Sequence, residues 1–239
     1  MPALFISDLH LSEDRPAANE RFFSFLEETA PAAGSLYILG DFFESWIGDD
    51  DLAYPFNAVI AGVLRELSSH GVALYLMHGN RDFLIGPRFC EATGATLLED
   101  PTVVELEGEK TLLMHGDTLC TDDLDYQAWR RTARSSAWQR DFLGKSLAER
   151  RQAIVGMREK SKEVISAKPA EIMDVNPGAV QEAMKQHGVK RLIHGHTHRP
   201  GRHTVDLGEV RGERWVLPDW YGRGGYLSVS GKNLKLVPF

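Results

Sequence analysis

Cysteine is nearly missing from this chain: 239 residues contain only Cys90 and Cys120. The two stand far apart and form no C-x-x-C pair. That excludes a disulfide scaffold and a thiolate zinc site, and it fits idle thiols in a reducing compartment. Long apolar runs are absent too. None approaches the ~20 residues that span a bilayer. The first residues enter Leu4-Phe5-Ile6 with no charged leader or cleavage site, so a cytosolic chain is expected. Internal repeats and low-complexity linkers are also lacking, which points to one domain over 1–239. A hydrophobic share of 43% and a mean hydropathy of -0.27 exclude disorder and supply a sizeable core.

The net charge is only -7, but it is unevenly spread. Residues 129–168 hold eleven Lys/Arg against four Asp/Glu, so this segment is +7 and the remainder -14. Two readings stand: a solvated helical face, or a surface that meets phosphates or an anionic membrane. The acidic remainder argues against a nucleic-acid groove.

What is present is a set of short apolar runs that end in polar residues. Phe5-Ile6-Ser7 runs into Asp8-Leu-His10. Tyr37-Ile-Leu-Gly40 runs into Asp41. Leu74-Tyr-Leu-Met77 runs into His78-Gly-Asn80-Arg-Asp82. Leu112-Leu-Met114 runs into His115-Gly-Asp117, and Leu192-Ile193 into His194-Gly-His196-Thr-His198. Five predicted strands therefore deliver Asp, Asn and His to one rim, with Asp41 in its middle. Amphipathic stretches at 15–30 and 55–69 alternate with the first three runs. The βαβαβ pattern predicts parallel strands under helices. The turn at 107–110 predicts an antiparallel hairpin. Together they suggest two facing sheets with helices outside. Residues 125–170 break this rhythm and read as two or more helices, with Trp129, Trp138, Phe142 and Leu143 on an apolar side.

Asp8/His10 and His196/His198 are each two apart, which in extended backbone puts both side chains on one side. With Asp41, Asn80 and His115 they form an N/O donor set suited to Mn, Fe, Zn or Ni. Seven donors are too many for one ion, and a carboxylate can bridge two. Paired ions ~3.5–4 Å apart clamp the attacking and leaving oxygens of a phosphoryl centre.

The ordered motifs Asp8-x-His10, Gly40-Asp41, Gly79-Asn80-Arg81-Asp82, His115-Gly-Asp117 and Gly195-His196-Thr-His198 resemble those of the calcineurin-like metallophosphoesterases. The resemblance implies an α/β fold, a four-layer αββα sandwich, here with an inserted helical lid at 125–170. It also implies two ions. One would be held by Asp8, His10, Asp41 and His198, the other by Asp41, Asn80, His115 and His196. Most members carry His after the Asn, which can protonate an alkoxide leaving group. Here the residue is Arg81, which effectively never gives up its proton. Arg81 therefore favours a leaving group that needs no acid, such as a phosphate leaving a pyrophosphate.

Tyr37 to Asp50, His78 to Phe83 and Ile193 to Pro200 are similar to one branch, the UDP-2,3-diacylglucosamine hydrolases of lipid A synthesis. That branch implies cleavage to UMP and 2,3-diacylglucosamine 1-phosphate by a two-metal-activated water attacking the α-phosphorus. It implies two Mn2+ and a peripheral position on the cytoplasmic face of the inner membrane; a monomer is expected. Catalytic roles would fall on Asn80, Arg81 and Asp82, with Asp82 orienting a neighbouring residue rather than reacting. Substrate contacts would fall on Asn80, Arg81, Asp123, Ser161, Ile165, Lys168 and His196, although Ile165 stands where relatives often carry Asn or Thr. Ser161, Ile165 and Lys168 are expected on one helix face. A general nucleotide or cyclic-nucleotide phosphodiesterase shares the donor set, and a non-catalytic scaffold would have lost it.

Overall fold

The computed structural model describes residues 1–166, 168 and 172–239; the side chains of 162, 165 and 166 lie outside that description. In chain order the elements are β1 (Ala3–Ile6), α1 (Pro16–Glu28), β2 (Ser35–Leu39), α2 (Pro55–Ser69), β3 (Ala73–Met77), α3 (Pro87–Thr93) and β4 (Thr96–Leu98). The hairpin β5 (Thr102–Leu106) and β6 (Glu109–Met114) follows. Then come α4 (Leu124–Ala133), α5 (Ser136–Leu143), α6 (Leu147–Ser166), α7 (Pro177–Gln186) and β7 (Arg191–His194). β8 (Gly201–Asp206), β9 (Arg211–Val216), β10 (Gly225–Ser230) and β11 (Asn233–Pro238) close the chain.

One sheet has the order β11-β10-β1-β2-β3-β4, the other β5-β6-β7-β9-β8. β1 to β4 run parallel, as do β6, β7 and β9. Side chains alternate across a strand, and here each alternation serves two cores. Phe5, Tyr37, Leu39 and Met77 face Leu113, Ile193, Trp215 and Leu217 between the sheets. Leu4, Ile6, Leu36, Ile38, Leu74 and Leu76 face outward onto Phe22, Phe25, Ile60 and Leu64 of α1 and α2. On the far side Leu112, Met114 and Leu192 pack on Val180 and Met184 of α7. Because every central strand is apolar on both faces, helices must cover both outer faces, which gives the αββα layers.

α2 begins with proline in its first turn, where a missing N–H costs nothing. α7 does the same, and Asn176 Oδ1 accepts from the N–H groups of Gly178 and Ala179. Short α3 and β4 and the C-terminal β8 carry too few alternating residues to be read from sequence.

The segment 124–166 forms three helices. Six of the eleven basic residues at 129–168 are spent on carboxylates of the protein itself: Arg130 on Asp117, Lys145 on Asp141, Arg150 on Asp50, Arg151 on Asp51, Arg158 on Glu44, and Lys168 on Asp123. Arg134 Nη2 also donates to Gly79 O at 2.8 Å. Neither of the two readings of this charge foresaw that much of it pairs with carboxylates of the acidic body. The expected shared face of Ser161, Ile165 and Lys168 is corrected. α6 ends at Ser166 and Lys168 lies beyond it in a bend.

Just past β4, both carboxylate oxygens of Asp100 are buried without a hydrogen-bond partner. Burial, reinforced by the nearby Asp117, pushes its pKa from 3.8 to about 6 against the pull of His115, Arg130 and Arg134. A raised carboxyl pKa means that ionisation is harder in the folded chain. Stability is therefore intact below the unfolded value of 3.8 and is lost as pH climbs through about 6. Asp100→Asn should gain little at pH near 4 and up to about 3 kcal/mol at pH near 8. Urea unfolding of both proteins at the two pH values checks it, and an equal gain at both would refute it.

Candidate metal centre

All five motif segments meet at the C-terminal ends of β1, β2, β3, β6 and β7. Asp8, His10 and His198 offer donor atoms within 4.8 Å of one another, and so do Asp41, His115 and His196. Asp41 lies between the groups: Oδ2 is 3.7 Å from His10 Nε2 and Oδ1 is 3.7 Å from His115 Nε2. Asn80 joins the second group, its Oδ1 3.1 Å from His115 Nε2 and 3.0 Å from His196 Nδ1. Asp8 Oδ1 lies 3.3 Å from His198 Nε2.

The local backbone explains the convergence, and it is not the extended one expected from the two-residue spacing. Asp8, His10, Asp41, His196 and His198 all have positive φ, between 50° and 68°. Non-glycine residues rarely hold this left-handed conformation unless the surroundings impose it. Here each strand has ended, and successive turns aim the side chains inward. The chain segments also approach one another closely. A Cβ on Gly79 would collide with the Asp41 backbone and carboxylate, and one on Gly195 with Ser7 and Asp8.

Asp82, expected to orient a neighbouring residue rather than to react, is fully buried. Its carboxylate accepts from the N–H groups of Phe42 at 2.7 Å, Phe43 at 3.3 Å and Gly79 at 2.8 Å. It fastens the Asp41 loop to the Asn80 loop and leaves no oxygen to react. Arg81 N–H donates to Asp41 Oδ1 at 2.8 Å, and its buried Nε has no partner. Asp123 and Lys168 were expected to contact substrate; each Asp123 oxygen is 2.6 Å from Lys168 Nζ, and Asp123 also caps α4 through Tyr126 N–H. Ser161 lies half-buried on α6. The Ile165 side chain lies outside the described residues.

Electrostatics separate the two groups. Burial opposes charge on His115, but Asp41, Asp117 and Asp8 outweigh it and push its pKa up to about 9. Burial and neighbouring His115 push His196 down to about 4. Burial likewise lowers His10 to about 4. Asp41 is raised by burial. Asp8 is held below the usual carboxylate range: burial opposes this, but His198 and the other histidines prevail.

The residues fit bound cations. Asp8 Oδ1 and both ring nitrogens of His10 are buried without hydrogen-bond partners, an arrangement that cations would satisfy. His115 Nδ1 donates to Leu39 O at 2.9 Å, so Nε2, which faces Asp41 and Asn80, is the ring nitrogen that would give its lone pair to a cation once its proton is displaced. His194, outside the set, is buried against Gly195 O and Arg214, and His78 Nε2 meets Ile85 O at 2.7 Å; both are structural.

Three neighbours escaped the sequence reading. Tyr221 leans on His10 and His198 with centroids 4.8 and 5.3 Å apart, Tyr126 stacks on His196 at 6.0 Å, and Glu44 touches His10. Only Glu44 left a trace, as a carboxylate within an aromatic run.

Among curated proteins, a UDP-2,3-diacylglucosamine hydrolase of Pseudomonas putida is 49% identical over 99% of this chain and 98% of its own length. One of Pectobacterium carotovorum is 48% identical over 100% and 99%, and one of Yersinia enterocolitica 47% over 100% and 99%. A solved archaeal phosphodiesterase covers 100% of both chains at TM-score 0.49 and 13% identity, too distant to weigh. The calcineurin-like phosphoesterase model matches residues 1–200, the stretch that carries every donor of both groups, and this chain belongs to that family.

Proposed function

We propose that the chain hydrolyses the pyrophosphate bond of UDP-2,3-diacylglucosamine to UMP and 2,3-diacylglucosamine 1-phosphate. The observation that carries this reading is the meeting of two donor groups around Asp41 beside an arginine in place of an acid. The relatives' names, over nearly their full length, supply the substrate.

Two Mn2+ are the proposed occupants, with Asp8, His10, Asp41 and His198 holding one and Asp41, Asn80, His115 and His196 the other. Such a pair supplies charge neutralisation and an activated water. The protein does the rest. Asp41, fixed by Arg81 N–H, keeps the two groups in register. Arg81 presents a permanent positive charge to the phosphoryl oxygens, and Asn80 and His196 face the same point. Asp82 holds both loops rigid, so the reacting geometry is set before substrate arrives. The leaving group is a sugar phosphate whose oxygen is weakly basic, so no proton donor is required.

Residues 125–170 act as a lid over this rim within a single domain of 1–239. Exposed Trp129, Leu143 and Val155 take acyl chains, and each buried CH₂ contributes about 0.8 kcal/mol. Ser161, Asp123 and Lys168 border the sugar. Among the described residues no helix is long and apolar enough to cross a membrane. A monomer peripheral to the cytoplasmic face of the inner membrane would meet such a lipid there.

Metal-free protein should release no UMP, and Mn2+ should restore release from the diacylated UDP-sugar far above UDP-sugars without acyl chains. Faster turnover of p-nitrophenyl phosphate or a cyclic nucleotide would favour the general phosphodiesterase instead.

A further inference from the structure

His194 ends β7, is wholly buried, and belongs to neither donor group. Its two ring nitrogens have different partners. Nδ1 lies 2.8 Å from Gly195 O, and Nε2 lies 3.1 Å from Nη1 of Arg214 on β9. In the β7–β9 register Arg214 stands beside Leu192, on the face that His194 also occupies. The chemistry leaves one assignment. A guanidinium only donates and a carbonyl oxygen only accepts. Nε2 must therefore accept from Arg214, which places the ring proton on Nδ1, where it donates to Gly195 O. The ring is also wedged against the turn that follows His115: a Cβ on Gly116 would come within 2.7 Å of Nδ1.

Gly195 O accepts a second bond, from Thr197 N–H at 2.8 Å. That bond closes a three-residue turn centred on His196, whose φ is 68°. A turn of this kind with positive φ at a non-glycine centre is the rare, strained form, and it lasts only where its surroundings hold it. Two further bonds tie it to both donor groups. Gly195 N–H donates to His115 O at 2.9 Å, and His196 N–H donates to Asp8 Oδ2 at 2.8 Å. We infer that His194 is a positioning residue for the metal centre, committed to that task by Arg214: the pair holds the turn that aims His196 at the second donor group. Without the Nδ1 proton, Gly195 O would keep only its bond within the turn. The turn would relax toward an ordinary φ and draw the His196 ring off Asn80, which it now meets at 3.0 Å. Without Arg214 the ring proton would be free to move to Nε2, and Nδ1 would then face Gly195 O as a second acceptor.

The inference rests on the two-cation reading but not on the substrate. Metal-free protein is titrated with Mn2+ by calorimetry. Wild type should show two sites. His194→Phe keeps a flat ring but removes both hydrogen bonds, and should weaken one site by ~10–100-fold, the range for a partner that stands behind a ligand. His196→Ala should weaken the same site, which identifies it as the second group. His194→Asn keeps an N–H near the Nδ1 position and should recover most of the lost affinity. Arg214→Met should weaken that site several-fold, with recovery in Arg214→Lys. A histidine that merely fills space would lower the unfolding temperature of the metal-free chain and leave the Mn2+ affinity of the folded protein alone. Two unchanged sites in folded His194→Phe would therefore overturn the role of His194, whatever its unfolding temperature. Unchanged sites in Arg214→Met would overturn the part given to Arg214, and that variant decides the outcome if His194→Phe does not fold. Fewer than two sites in wild type would sink the two-cation reading and this inference together, whereas two wild-type sites that survive in the variants sink the inference alone.

Discussion

Asp41→Asn should lower UMP release by about a thousandfold or more and abolish tight binding of at least one Mn2+. The size follows from the position of the carboxylate. One oxygen faces His10 and the other His115, so a single side chain serves both groups. Cation stabilisation of a phosphoryl transition state is worth several kcal/mol, and each 1.36 kcal/mol is tenfold in rate. Fold stability should move the other way. Asp41 is buried, and burial raises its pKa, so its charge is a burden on the metal-free chain. Asn keeps an acceptor for Arg81 N–H and discards the charge. Metal-free Asp41→Asn should therefore unfold at or above the wild-type temperature by calorimetry, while its activity is gone. A variant that is inactive because it is unfolded would refute this account.

Arg81→Ala should lose ~10²–10³ in kcat, the range seen when one preorganised charge-stabilising donor is removed. Unlike the Asp41 variant, it should keep both Mn2+ sites, because only the backbone N–H of Arg81 touches a donor residue. The informative variant is Arg81→His. Histidine can give up a proton where arginine cannot. Its activity on the pyrophosphate substrate should fall, while the ratio of alkyl phosphoester to pyrophosphate hydrolysis should rise at least tenfold. Steady-state kinetics on both substrates with the same enzyme preparation measures that ratio. An unchanged ratio would mean that Arg81 does not select the leaving group.

Two of the errors made from sequence share a cause with the successes. The strands were legible because apolar alternation is written locally: Leu4, Ile6 and Phe5 already sort themselves between two cores. The donors were legible because each strand ends in the residue types that bind cations. How those donors converge was not, since positive φ at Asp8, His10, Asp41, His196 and His198 is forced by contacts with distant segments. The extended-strand argument reached residues that do converge, through the wrong backbone. The helical segment left two readings open. Counting charge gives +7, but only packing reveals that Arg130, Arg150, Arg151 and Arg158 already have carboxylate partners on the body.

The order and chemistry of the motifs determined the layered fold, the donor residues and the substitution of arginine for an acid. These are properties of residue type and spacing, and they survive without coordinates. Tertiary structure alone decided which N–H groups Asp82 holds and that the basic helices are held down by the acidic body. Each depends on atoms from distant segments meeting at hydrogen-bond distance, 40 residues apart for Phe42 and Asp82 and 100 for Arg150 and Asp50, a relation no local pattern encodes.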